Sequence, residues 1–276
     1  MLLEELPTSD KWAEFFSDGF FGYGDKGNFQ MFSFFHFLPV ILLIVAIILT
    51  YKFRENIRNY KYEKTIRYIL ACVMLFAEMG YFWRLLYIGN SDLGERTLLT
   101  RLPFQICEWT CIFAAIMLFT ESKHLFDIDI FVCLTIGLLP LAYPAVISRT
   151  GPLYFRYYQY WLEHLLPVYS VFYMMFIKGF KYDLKKCYKS FVFLFILGII
   201  CIYLNYQIPN ATYMYLQGDA LGEGLSSILP ENQFGRLAIY LGVCSILFGI
   251  EFLAFYLVSL YKRKRIEKEV VEDNTI

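Results

Sequence analysis

Seven mainly apolar stretches divide the chain, at 32–51, 66–88, 102–119, 125–147, 157–177, 190–208 and 237–261. A helix needs about 20 residues to cross roughly 30 Å of hydrocarbon, and these runs have that length. Unpaired backbone groups are too costly in lipid for open strands, so each run reads as a helix. The expected fold is all-α: a polytopic seven-transmembrane-helix bundle. The third run is the shortest and carries Gln105 and Glu108, and the fourth has Asp127 and Asp129 at its entrance. Ahead of the first, Trp12, Phe16 and Phe20 recur every fourth residue within Asp10–Phe21, the spacing of a short helix lying on a membrane surface. Residues 1–31 open on Glu4 and Glu5 and lack the basic start and apolar core of a cleavable signal. Three parts follow: an outer or interfacial segment 1–31, a transmembrane domain 32–261 and a charged tail 262–276.

Composition supports the pattern. Of 276 residues, 58% are hydrophobic, 20% aromatic and 18% charged, against about 45–50% apolar and 25% charged in soluble domains. Disordered, collagenous and disulfide-rich secreted classes are excluded. Charges cancel to zero, which gives no sign of a nucleic-acid partner. Their placement does not cancel. Segments 52–67, 178–189 and 262–268 with Lys123 hold 17 basic residues, against seven on the alternate side. The positive-inside rule therefore expects the N-terminus outside, the C-terminus in the cytoplasm and the protein in the plasma membrane, with membrane lipids as its partners. None of the seven cysteines falls in an outer loop, so no extracellular disulfide framework is available.

Ionisable groups inside a bilayer cost at least about 2.5–3.5 kcal/mol each near its centre and are functional candidates by default. Here they are Glu78, Arg84, Glu108, Glu163, His164 and Glu251, with Gln105 and Asn205 as uncharged companions. His36, Arg84, Gln105, Cys107, Glu108, Glu163, His164 and Asn205 all fall in the outer half of their runs. They point to one polar pocket facing the outer leaflet. Gln105 and Glu108 are three apart and share a helix face, as do Tyr160 and His164 at four apart. Pro167 removes a backbone donor beyond them and is expected to kink the helix near the Glu163 carbonyl. In the outer segment 209–236, Asn210 and the run Tyr213-Met214-Tyr215-Leu216 are expected to fold onto the bundle mouth.

A cysteine and a histidine at equal depth suit nucleophilic catalysis. His164 would take the Cys107 proton, and Glu108 or Glu163 would orient the imidazole. Arg84 or Gln105 would then bind an oxyanion or phosphate. The bland alternatives are a packed thiol, a hydrogen-bonded histidine and an Arg84 ion pair with Glu78 or Glu108. A metal on Glu163, His164 and Glu108 is disfavoured by the 100° between adjacent helical residues, so no metal or cofactor is expected.

The blocks Leu102-Pro103-Phe104-Gln105-Ile106-Cys107-Glu108, Phe155 through His164, and Asn210-Ala211-Thr212-Tyr213-Met214-Tyr215-Leu216 resemble the YwaF-like integral membrane proteins of bacteria. That family shows LP-x-H-x-C-[DE], an aromatic stretch ending in His, and N-Y-M-Y-L in this order. Its eukaryotic relatives include a transmembrane acyltransferase that remodels phospholipids through a cysteine acyl-enzyme. The resemblance implies Cys107 as nucleophile and His164 as catalytic histidine. Gln105 stands where the bacterial family has His, and a Gln cannot act as a base. Two functions are thus in view: lipid acyl transfer or hydrolysis through Cys107 and His164, or binding and transport of a small polar solute or headgroup. The surrounding pocket would comprise Arg84, Gln105, Glu108, Tyr160, Glu163, Asn205, Asn210, Tyr213 and Tyr215.

Overall fold

A computed structural model describes residues 20–21, 29–88, 98–144, 151–218 and 227–273, without the side chains of 81–88, 98, 101 and 262–273. The interfacial segment expected at Asp10–Phe21 and the side chain of Arg84 therefore lie outside the described parts. Every regular element among the described residues is helical. The α-helices are α1 (Phe34–Lys52), α2 (Arg54–Arg58), α3 (Glu63–Ile88), α4 (Ile106–Thr120), α5 (Lys123–Leu134), α6 (Leu139–Ala142), α7 (Phe155–Phe176), α8 (Cys187–Gln207) and α9 (Gln233–Asp273). Short 3-10 turns sit at Leu98–Arg101, Ile136–Leu138, Leu184–Lys186 and Tyr213–Tyr215.

Among the described residues, three helices are long and apolar enough to cross a membrane: α1, α8 and α9. Taken as one bent span, α5 and α6 raise the number to four. Their surfaces show why. Ile41, Leu42, Ile44, Ile48 and Leu49 on α1 are exposed, as are Phe195 and Ile196 on α8 and Ile246, Ile250 and Leu257 on α9. Apolar residues face outward, the arrangement expected where the surrounding solvent is lipid. Where α3 and α4 pack, the interior is built of small and sulfur-bearing residues. Ala71 and Met74 of α3 cluster with Cys111, Ala114 and Ala115 of α4, all fully buried. Small side chains let these helices approach closely.

Contacts at two opposite ends order the helices. At one end Arg58 donates to the carbonyls of Phe176 and Ile177, Arg67 reaches Glu121, and Lys189 reaches Asp127. At the other end Gln105 accepts from Met214 N–H and Asn205 holds Tyr213. The turn at 213–215 is tight, with Met214 and Tyr215 both at positive φ.

Prolines decide where helices continue. The run at 125–147 reads as one span, yet the structure breaks it at Thr135 and bends it by 48°. Pro140 cannot donate to the carbonyl of Ile136 and its ring crowds that carbonyl, so the helix turns to 3-10 geometry there. Pro39 sits inside α1 without breaking it. It releases the carbonyl of Phe35, which accepts instead from the Tyr157 hydroxyl at 2.6 Å. Pro167 likewise lies within α7, which runs on to Phe176.

Candidate functional site

Cys107 is the second residue of α4, after the N-cap Gln105 and Ile106. The N–H groups of a first helical turn have no partner within the helix and carry a partial positive charge. Glu108 closes the turn, its Oε2 accepting from Gln105 N–H at 2.7 Å. The Gln105 side chain points elsewhere, taking the Met214 N–H at 3.0 Å. Gln105 is therefore a strap between α4 and the 213–215 turn.

Opposite stands α7. Cys107 Sγ, a Glu163 carboxylate oxygen and a His164 ring nitrogen all lie within 4.8 Å of one another. A small rotamer change brings sulfur and ring to the about 4 Å or less that proton transfer needs. His164 Nδ1 lies 2.7 Å from the Tyr160 carbonyl. A carbonyl only accepts, so Nδ1 carries the proton and Nε2 keeps a free lone pair. The orienting partner of the imidazole is thus a main-chain carbonyl one turn back. Glu163, five per cent exposed, accepts from Gln159 Nε2 at 2.6 Å and faces Arg156 Nη1 at 3.6 Å. Arg156 also donates to Gln159 Oε1.

Glu78 of α3 and Glu108 are electrostatic neighbours of both Glu163 and Cys107. Tyr215, outside the helical runs, joins them: its hydroxyl is raised above its ordinary value by burial and by Cys107, and stays protonated. The Tyr160 hydroxyl is committed to the Pro140 carbonyl at 2.8 Å. Three helices and one turn thus converge on a Cys–Glu–His centre in which Glu163 and His164 are buried and Cys107 is half-buried.

Other expected residues have different duties. Asn205 Oδ1 accepts from Tyr213 N–H at 2.8 Å and its Nδ2 donates to the Tyr213 carbonyl at 3.1 Å. The Tyr213 hydroxyl accepts from Leu102 N–H at 3.1 Å and donates to the Leu99 carbonyl. Both shape the site's roof. Asn210 is exposed and takes φ 61° in the turn that follows α8. His36 is tied to Leu141 and Phe32, with Nε2 2.8 Å from the Leu141 carbonyl and Nδ1 accepting from Phe32 N–H. Arg156 and Gln159 were hidden by the aromatic run around them. Their offsets of seven and four from Glu163 put all three on one helix face. A cavity of ≈ 730 Å³ lies apart from these groups, along the apolar face of α3 between Lys64 and Ala77 and against Phe155 and Leu162.

Apolar helices that turn apolar residues outward around a cluster of ionisable groups define an integral membrane protein. Residues 31–256 match the TMEM164 family, and the chain belongs to that family. No curated protein and no solved structure matches it significantly.

Proposed function

We propose that this chain is a membrane-embedded enzyme that transfers or hydrolyses lipid acyl chains through a thioester on Cys107. The observation that carries the reading is the approach of Cys107 Sγ, Glu163 and His164 within 4.8 Å, with His164 Nδ1 anchored on the Tyr160 carbonyl. The likeness of the 102–108, 155–164 and 210–216 blocks to YwaF-like proteins, and through them to a cysteine acyltransferase, supports it.

In this reading Nε2 of His164 takes the Cys107 thiol proton. The sulfur attacks the carbonyl carbon of an acyl ester, and the oxyanion gathers at the first-turn N–H groups of α4. Collapse breaks the ester C–O bond, and the leaving alcohol takes the proton back from the imidazolium. An acceptor hydroxyl or water then yields its proton to Nε2, attacks the thioester and restores the thiol. Glu163, steadied by Gln159 and Arg156, stabilises the imidazolium in both halves. Tyr215 is a second donor for the oxyanion.

Seven crossings belong to this reading, with the N-terminus outside and the C-terminus in the cytoplasm of a plasma-membrane protein. At 1.5 Å per residue, α3 and α7 are about 39 and 33 Å long, and the basic residues sort by side. The experiment is to incubate the purified protein with a lipid-like acyl electrophile or radiolabelled phospholipid and map the adduct. A hydroxylamine-labile acyl group on Cys107, absent in Cys107→Ala of unchanged fold, is expected. Labelling elsewhere, or none, overturns the reading.

A second reading, solute binding or transport, draws on Asp129 and Glu251. Both are buried, and among the described residues neither carboxylate has a hydrogen-bond partner. It expects Glu108→Gln to abolish uptake or binding while Cys107 is dispensable.

A further inference from the structure

The trio that suits acyl transfer also encloses room for a metal ion. Thiolate, carboxylate and imidazole are ligands that zinc takes, at about 2.0–2.3 Å in a tetrahedron, so its ligand atoms stand a little under 4 Å apart. The three atoms here lie within 4.8 Å, so small side-chain rotations close the set. His164 is arranged as ligating histidines are, with Nδ1–H held by a carbonyl and the Nε2 lone pair free. Glu163 is held in the same manner by Gln159.

A second observation points the same way. Glu78 is 9% exposed and its Oε2 has no hydrogen-bond partner among the described residues. It is an electrostatic neighbour of Glu163 and Cys107, and Glu108 adds a third carboxylate. Among the described residues, the cation that faces these acids is Arg156. Three carboxyl groups and a thiol gathered around one guanidinium are a donor set that a divalent ion takes as their protons leave.

We propose that Cys107, Glu163 and His164 form a reversible site for Zn²⁺ or a similarly thiophilic divalent ion, with its fourth position open. Binding releases the thiol proton to solvent and places the ion on the sulfur. The consequence rests on the acyl-transfer reading: an ion held on the sulfur and on His164 lowers the nucleophilicity of one and removes the other as base, so occupancy slows acylation of Cys107.

The test titrates the full chain in lipid nanodiscs with Co²⁺, an optically visible stand-in, and then with Zn²⁺. A thiolate-to-cobalt charge-transfer band should saturate at one ion per chain and bleach with Zn²⁺. It should be lost in Cys107→Ser and shifted in Glu163→Gln. In the unaltered protein Zn²⁺ should also shield Cys107 from a small membrane-permeant thiol reagent, read by peptide mass spectrometry, with the other cysteines unchanged. No band, a band that survives Cys107→Ser, or no shielding of Cys107 overturns the proposal. Acylation of the metal-free protein is scored separately. Its failure beside an intact cobalt spectrum removes the acyl-transfer reading and leaves the metal site standing.

Discussion

Asn205 grips the main chain of Tyr213 from both sides, accepting from its N–H at 2.8 Å and donating to its carbonyl at 3.1 Å. This grip joins the end of α8 to the turn that carries Tyr215 into the site. Asn205→Ala takes the acceptor from the buried Tyr213 N–H, a loss of about 1–3 kcal/mol, while the Tyr213 carbonyl keeps the Leu216 N–H at 3.2 Å. A lower melting temperature in detergent is expected, together with weaker acyl labelling of Cys107. Unchanged values for both would show that the turn holds itself.

The two described membrane histidines with ring contacts should behave differently. His164→Ala removes the base and is expected to slow Cys107 acylation by about 10²–10⁴-fold. His36 spends both ring nitrogens on Leu141 and Phe32. His36→Ala should lower stability by about 0.5–1.5 kcal/mol per lost hydrogen bond and leave the acylation rate nearly as it was. Single-turnover labelling with thermal melts separates the two.

Glu63 lies before the apolar run that starts at residue 66 and binds Arg67, Tyr173 and Lys178 at 3.2, 3.0 and 3.0 Å. Burial raises its carboxyl, but Lys178, Tyr173 and Arg67 together hold it below its ordinary 4.5. A depressed folded value stabilises the protein above the unfolded pKa, and that gain fades as pH falls through the folded one. The melting-temperature gap between the protein and Glu63→Gln should therefore be full above about pH 4.5 and shrink below it. A gap that stays constant with pH would contradict the assignment.

Gly198 of α8 lies under Leu237 of α9, and a Cβ added there would collide with the leucine methyls. Gly198→Ala is expected to destabilise by about 1–3 kcal/mol, as overpacked cores do. Trimming the partner with Leu237→Ala in the same chain should recover part of that loss. Additive losses in the double variant would place the strain elsewhere.

Much of this was legible before any coordinates. Most apolar runs mark helices to within about four residues, because length and hydropathy in lipid leave little choice, but α9 runs on to Asp273 through charged residues beyond the run that ends at 261, and the run 125–147 is broken. Cys107, Glu163 and His164 stood out because ionisable groups are rare in such runs. The orienting carbonyl of Tyr160 could not be read, since every residue offers one. Arg156 lies among aromatic residues at the start of its run, and its offset of seven from Glu163 is what sets it on the site's face of the helix. The break at Thr135 was written in Pro140, but Pro39 and Pro167 carry the same signal inside continuous helices. The difference lies in what takes up the freed carbonyl, as Tyr157 does for Phe35, and that is a matter of neighbours rather than of sequence.

The break has a mechanical consequence. As a single turn, α6 has carbonyls with no partner inside the helix, and two of them are spoken for by other elements. Pro140 accepts from Tyr160 of α7, and Leu141 accepts from His36 of α1. Tyr160 in turn supplies the carbonyl that aims His164. One short turn thus ties α7, through Tyr160, to α1, through His36, and the α7 residue that it holds is the one whose carbonyl aims the imidazole.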